Sequence, residues 1–164
     1  RFPVEHSLVQ FFEEEMQRLR GNFSRHEYDR RLEMGRRHLA GFYQQNVNSW
    51  HKKVRIELNV RNVQVEGVPL TGAIDKLELH EDFKTVVVDY KTGEIEPVKL
   101  RPPSESNPLG GNYWRQLVFY KLLYESFDRG ARRVTSGLIS WVDPNNKGQF
   151  VNSAIEIKPQ DVEF

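Results

Sequence analysis

Two aspartates and a lysine occupy strand positions where hydrocarbon is expected. In GAIDKLELHEDFKTVVVDYKTG, Gly72 to Gly93, the pattern predicts a strand over Val68–Leu79, a polar turn over His80–Phe83 and a second strand over Lys84–Lys91. Side chains two apart on a strand share a face, so Asp75 falls in with Ala73, Leu77 and Leu79, while Ile74, Lys76 and Glu78 face the other way. Asp89 follows Val86, Val87 and Val88, a run expected to be covered on both faces, and Lys91 lies on the same side as Asp89. An ionised carboxylate is costly to bury unless a cation or hydrogen bonds compensate it. Two acids and one lysine aimed at one spot therefore point to a metal site. The structural alternative is a buried ion triad of Asp75, Asp89 and Lys91 that serves only the fold.

The composition narrows the metal. The chain has 164 residues and no cysteine, which excludes a disulfide framework, a cysteine nucleophile, a thiolate zinc site and an iron–sulfur cluster. Ligands must be oxygen or imidazole, a set that favours magnesium, manganese or calcium, with zinc admitted if histidine takes part. No apolar run approaches the roughly 20 residues of a membrane span, so a cytoplasmic protein with no membrane partner is expected. The net charge is +1 although 29% of residues are charged, which argues against tight autonomous binding of nucleic acid. The chain starts at Arg1 and stops at Phe164 after a strand-like segment, and is expected to be a domain cut from a longer protein.

The elements that must position these residues can be read in order. Leu8, Val9, Phe11, Phe12, Met16 and Leu19 recur at helical spacing from Val4 to Arg20, and Gly21 ends that helix. Ser24 followed by Glu27 has the capping-box pattern and opens a second helix to about Asn48. Its Arg25, Arg30, Arg31, Arg36 and Arg37 read as a solvated face paired with Glu27, Asp29 and Glu33, in preference to a phosphate-contacting ridge. Lys53 to Val60 alternates, with Val54, Ile56, Leu58 and Val60 inward. Glu66-Gly67 turns the chain into the central hairpin. Thr92 to Asn112 has no periodicity, and Glu94 to Asn112 is expected to form a mobile flap over the site, weakly ordered from Pro102 to Gly111. A third helix spans Tyr113 to Asp128 and places Gln116 and Tyr120 on one face, and strands over Val134–Val142 and Gln149–Ile157 close the chain. Helices, three strands, a helix and two strands make a mixed α/β or α+β domain with a central sheet.

At Gly72-Ala73-Ile74-Asp75, then Val88-Asp89-Tyr90-Lys91-Thr92-Gly93, then Gln116-Leu117-Val118-Phe119-Tyr120, the sequence resembles the PD-(D/E)XK nucleases. It looks most like their RecB-like branch, found at the C-termini of UvrD-type helicases and in helicase–nuclease complexes of DNA repair. The motifs of that branch run G-x-x-D, a strand ending D-Y-K-T-G, and a helix with Q-x-x-x-Y. The resemblance covers Glu57 to Tyr124 and, more loosely, the whole chain. It implies a restriction-endonuclease-like core, with a central mixed sheet of four to five strands flanked by helices. It further implies one nuclease domain over 1–164, with a helical part over 1–50 and the catalytic core over 51–164. The implied activity is Mg2+- or Mn2+-dependent hydrolysis of DNA phosphodiesters, exonuclease in type, on single strands delivered by attached or partner helicase domains. The competing reading is a non-cleaving DNA-binding or scaffolding domain of a helicase.

Carried over by the resemblance, Asp75, Asp89 and the backbone carbonyl of Tyr90 would hold the metal. Lys91 would orient and help deprotonate the attacking water, and Gln116 and Tyr120 would bracket the site from the helix. The branch also places a metal-binding histidine in a G-x-x-x-H context on an early helix. Here Met34-Gly35-Arg36-Arg37-His38 is one residue short, so His38 is a candidate, with a histidine upstream of Arg1 as the alternative. His6 and His26 are weaker ones. Glu57 is a secondary candidate. Lys99 and Arg101 in the long loop, with Tyr113 and Trp114 at the helix start, are candidates for contact with a single strand, since aromatic faces stack on any base. For Trp114, core packing is the equal alternative.

Overall fold

The structure, a computed structural model, describes residues 2–162, so Arg1 and Phe164, the ends of the expected domain, lie outside the described residues. The chain divides into two compact units, one holding the residues up to Trp50 together with Val142–Phe150, the other holding His51–Trp141 and the chain from Val151 onward. The expected core over 51–164 had included 142–150, which the structure groups with the helices.

In the helical unit, α1 (Glu5–Arg18) packs on α2 (Arg25–Asn46). The capping box forms as predicted. The Glu27 amide donates to Ser24 Oγ at 3.3 Å, while Glu27 Oε2 accepts from the Ser24 hydroxyl at 2.7 Å and from the Ser24 amide at 3.1 Å, and these last two bonds hold the Glu27 carboxyl below its usual range. The arginine face is partly paired, Arg25 with Asp29 at 4.0 Å and Arg36 with Glu13. Edge contacts join Trp50 to Phe2 and Tyr43, and Phe42 to Phe150.

The second unit is built on a five-stranded mixed sheet in the order β1 (Val54–Val65), β2 (Val68–Leu79), β3 (Lys84–Lys91), β4 (Arg133–Trp141) and β5 (Asn152–Glu156). Only β3 and β4 run parallel, because α3 (Asn112–Phe127) carries the chain from one to the other. This is the α/β class expected. β2 and β3 have the predicted bounds, but β1 does not. It continues to Val65 by a bulge between Val60 and Val63, where Asn62 takes a φ of 57, so that Val60 and Val63 both reach the core. The alternation read for β1 also breaks at Glu57, whose φ is 49, and Ile56, expected inward, is 68% exposed. Opposite that break Ile74 and Leu77, three apart on β2, are both fully buried. The strict two-residue period therefore fails on both strands at the level of Asp75.

One helix covers the core of this unit. Leu117, Leu123 and Tyr124 of α3 are buried against Ile74, Val87 and Ile139 of the sheet. The helix comes close because β4 offers Gly137 and β2 offers Gly72. A methyl group on Gly137 would stand 2.9 Å from Leu117 Cβ, and one on Gly72 would stand 2.8 Å from a Leu123 methyl. A second bulge between β3 and β4 at Thr135 turns the peptide groups of Val134 toward α3. There the Val134 amide donates to Glu125 Oε1 at 2.7 Å and Lys121 Nζ donates to the Val134 carbonyl at 2.8 Å, the two side chains pairing at 2.6 Å. Lys121 is 5% exposed, and this clamp explains a buried lysine that periodicity alone would not place. Because Leu117 Cβ is fixed to the helix backbone, Gly137→Ala should push α3 outward and cost about 1–3 kcal/mol. The midpoint of urea unfolding checks this, and an unchanged midpoint would show that the helix is not seated there.

Candidate active site

Asp89 sits near the end of β3 with 2% of its surface exposed. The β2–β3 ladder pairs Lys76 with Val88 in antiparallel register, so its next step brings Asp75 opposite Asp89. Asp75 is tied there through Oδ2, which accepts the Tyr90 amide at 3.1 Å. Lys91, two residues on from Asp89, places Nζ 2.6 Å from Asp89 Oδ2. From α3, the Tyr120 hydroxyl donates to Asp89 Oδ1 at 3.5 Å, and Gln116 Nε2 donates to the Tyr120 oxygen at 2.9 Å. The five side chains singled out in the sequence are thus joined at one end of the β2–β3 pair, four of them in a single chain of polar contacts.

Burial pushes the Asp89 carboxyl above the usual carboxylate range. The hydrogen bond and charge of Lys91 pull it down, and the Asp75 charge pushes it up again. The Tyr120 hydroxyl is raised by its own burial and then by the charge on Asp89. Two carboxylates against one ammonium leave a surplus of negative charge in a desolvated place, which a divalent cation would neutralise. The donor set fits magnesium or manganese, ions that are held by one or two carboxylates and otherwise by water and substrate phosphate. Among the described residues no group of three or more His, Asp or Glu converges on one point, so a protein-only cage is not built here.

The other candidates have separate surroundings. His38, in the helical unit, has Nδ1 2.7 Å from Asp143 Oδ1. Glu57 is exposed, at the left-handed position on β1. Trp114 is 9% exposed, as core packing requires. Tyr113 is half-buried, while Arg101 is exposed. Lys99 pairs with Glu96 at 2.6 Å, and that contact holds its ammonium above the usual value.

The long loop, without apolar periodicity, forms a short 3-10 turn at Pro97–Leu100 and exchanges backbone bonds between Ser104 and Asn107 at 3.0 and 3.1 Å. It then closes on itself with the Gly111 amide donating to the Arg101 carbonyl at 2.8 Å. A side chain at Gly111 would meet the Lys99 carbonyl at 2.2 Å, and Arg115 on α3 donates to the Gly110 carbonyl at 2.7 Å. These contacts are backbone hydrogen bonds, which an apolar pattern does not reveal.

One residue beside the site was not foreseen. Trp141 at the end of β4 is fully buried and pairs with Lys91 in the parallel ladder, and its indole Nε1 is buried without a hydrogen-bond partner. Its neighbours come from a crossover pairing, so no local spacing could have signalled it.

The profile of the PD-(D/E)XK nuclease superfamily matches residues 4–162. No curated protein matches the chain. Among solved structures, one titled "Crystal structure of SSO0001" is similar at 15% identity with a TM-score of 0.41, covering 90% of this chain. This chain spans 64% of that structure's length.

The raised Asp89 value carries a pH signature. Between the unfolded value, about 3.9, and the raised folded value, the native state holds more protons than the unfolded one, so stability falls as pH rises through that window. Asp89→Asn removes this term. In chelator, the melting temperature of Asp89→Asn should gain on that of the wild type as pH is raised from about 4 towards neutrality. A difference that stays constant with pH, or reverses, would show that Lys91 fully compensates the buried charge.

Proposed function

The chain belongs to the PD-(D/E)XK nuclease superfamily, and on that footing we propose that it hydrolyses DNA phosphodiester bonds with magnesium or manganese held by Asp75, Asp89 and the Tyr90 carbonyl. The observation that carries this reading is the buried Asp89 carboxylate, flanked by Asp75 across the ladder and by Lys91 at 2.6 Å. When bound, the metal would supply charge stabilisation for the phosphoryl transition state and a more acidic water. Lys91 orients the attacking water and favours its deprotonation. Water oxygen bonds to phosphorus, the bridging P–O bond breaks, and the strand is left with one phosphate monoester and one free hydroxyl. Gln116 and Tyr120 steady Asp89 from α3 and face the scissile phosphate. Lys99 and Arg101 contact the backbone of the strand.

The RecB-like motifs Asp89-Tyr90-Lys91-Thr92-Gly93 and Gln116 to Tyr120 support a finer reading. In it the domain is an exonuclease of DNA repair or recombination, acting on single strands produced by an attached or partner UvrD-type helicase. The lack of a three-ligand cluster among the described residues, with a net charge of +1, favours as second reading a helicase-borne DNA-binding domain that cleaves weakly or not at all.

Calorimetry with manganese should show binding to the wild type and loss of it in Asp89→Ala. Equal affinities would remove the metal site. Lys91→Ala should abolish cleavage of single-stranded DNA while leaving DNA association nearly intact. A collapse of the melting temperature instead would mark Lys91 as a structural partner of Asp89, and loss of DNA binding alone would favour the non-cleaving domain.

A further inference from the structure

Tyr113, at the start of α3, has two ammonium groups beside its ring. Lys91 Nζ stands 5.5 Å from the ring centroid and Lys99 Nζ 5.2 Å, both within the roughly 6 Å over which an aromatic face attracts a cation. The ring is itself fixed. It meets Trp141 edge-on, with centroids 5.8 Å apart and planes at 70°, and Trp141 is both fully buried and the ladder partner of Lys91. The two lysines differ in what else holds them. Lys99 has Glu96 at 2.6 Å, a carboxylate outside the site. Lys91 has Asp89, the carboxylate that the proposed metal would occupy.

We infer that Tyr113 is a positioning residue for Lys91, its ring face retaining the ammonium at the site when a divalent cation takes over Asp89. The second half of this statement rests on the metal reading above. An ammonium 2.6 Å from Asp89 Oδ2 and a divalent cation on the same carboxylate repel each other strongly in a poorly solvated place. Lys91 must then loosen its hold on Asp89. Its side chain is only 24% exposed, so it cannot simply turn into water without unpacking its stem. The quadrupole of Tyr113, 5.5 Å from Nζ, offers an attraction that does not compete for a metal ligand. The hydroxyl interacts with Lys99 and is not needed to hold Lys91, so phenylalanine should serve and an aliphatic residue should not. Lys99 is anchored by Glu96, which limits its own claim on the ring.

Three variants test the inference: Tyr113→Phe, Tyr113→Leu, and Tyr113→Leu in a Lys91→Met background. In metal-free protein the ring current should displace the Lys91 ε-methylene proton shifts in wild type and Tyr113→Phe, and the displacement should vanish in Tyr113→Leu. In manganese calorimetry Tyr113→Leu should bind roughly three- to tenfold more weakly than wild type, and Tyr113→Phe within about twofold of it. With Met at position 91 the Tyr113→Leu change should cause no further loss, since the residue acts through the ammonium. Should Tyr113→Leu fail to fold, Tyr113→Met takes its place. Undisplaced Lys91 shifts in the wild type, a loss in Tyr113→Phe equal to that in Tyr113→Leu, or the same loss with Met at 91 would each overturn the inference. If wild type and Asp89→Ala bind manganese equally, the metal reading is what fails, and the Lys91 shifts alone decide whether the ring holds the lysine.

Discussion

A carboxylate with 2% of its surface exposed, in the middle of a sheet, is the constraint on which this structure turns. Desolvation acts against the ionised form of Asp89, and nothing in an all-apolar strand environment would relieve it. Three side chains meet it there, of which Lys91 and Tyr120 give relief and Asp75 does not. Lys91 follows from the same strand by the two-residue period, Asp75 is brought opposite by antiparallel register, and Tyr120 reaches in from α3. Only the first is favourable by charge. Asp75 adds to the negative potential, so the site is deliberately short of positive charge by the standards of a structural ion pair. This imbalance is the physical reason for reading the cluster as a binding place for a cation.

The approach of α3 follows from that constraint. Tyr120, with Gln116 bonded to it, can meet Asp89 only if the helix lies close over the sheet, and the side chains of ordinary strand residues would hold it off. Gly137 and Gly72 remove that obstacle at two points on different strands. The helix must also be held against sliding along the sheet. The Thr135 bulge does this, because it presents the amide and carbonyl of Val134 to a Glu125–Lys121 pair one helical turn apart. The buried lysine in that clamp is satisfied by a backbone oxygen and a carboxylate, in contrast to Asp89, whose neighbours leave its charge in excess.

What could be read in advance were features encoded over short distances. The bounds of β2 and β3, the capping box of α2 and the pairing of Gln116 with Tyr120 are all set by residues a few positions apart. Parity alone put Asp89 and Lys91 on one side. The same rule misplaced Ile56, since a left-handed Glu57 breaks the alternation, and no local pattern marks a glutamate for that conformation. It also missed Trp141, which neighbours Lys91 only because β4 returns parallel to β3 after the α3 crossover. The hydrogen bonds within the loop from Glu94 to Gly111 were not legible for a related reason. They are made by the main chain and Arg115, and composition reports apolar burial far better than it reports backbone hydrogen bonds.

On the proposed reading, the small number of protein ligands has its own logic. Two carboxylates and a carbonyl leave most positions around magnesium to water or to the substrate, and substrate phosphate oxygens are the natural occupants. One Asp75 oxygen already accepts the Tyr90 amide, which fixes that carboxylate and leaves its other oxygen for the cation. A cation held this loosely gains its remaining ligands from the strand it acts on, so metal and DNA each raise the other's affinity, as linkage requires. The near-neutral charge of the chain is consistent with such coupling, since the attraction for phosphate is then supplied largely by the ion and not by a standing basic surface. A site arranged in this way is weakly committed until substrate arrives. It is the surplus negative charge of Asp75 and Asp89 over Lys91 that keeps it in that state.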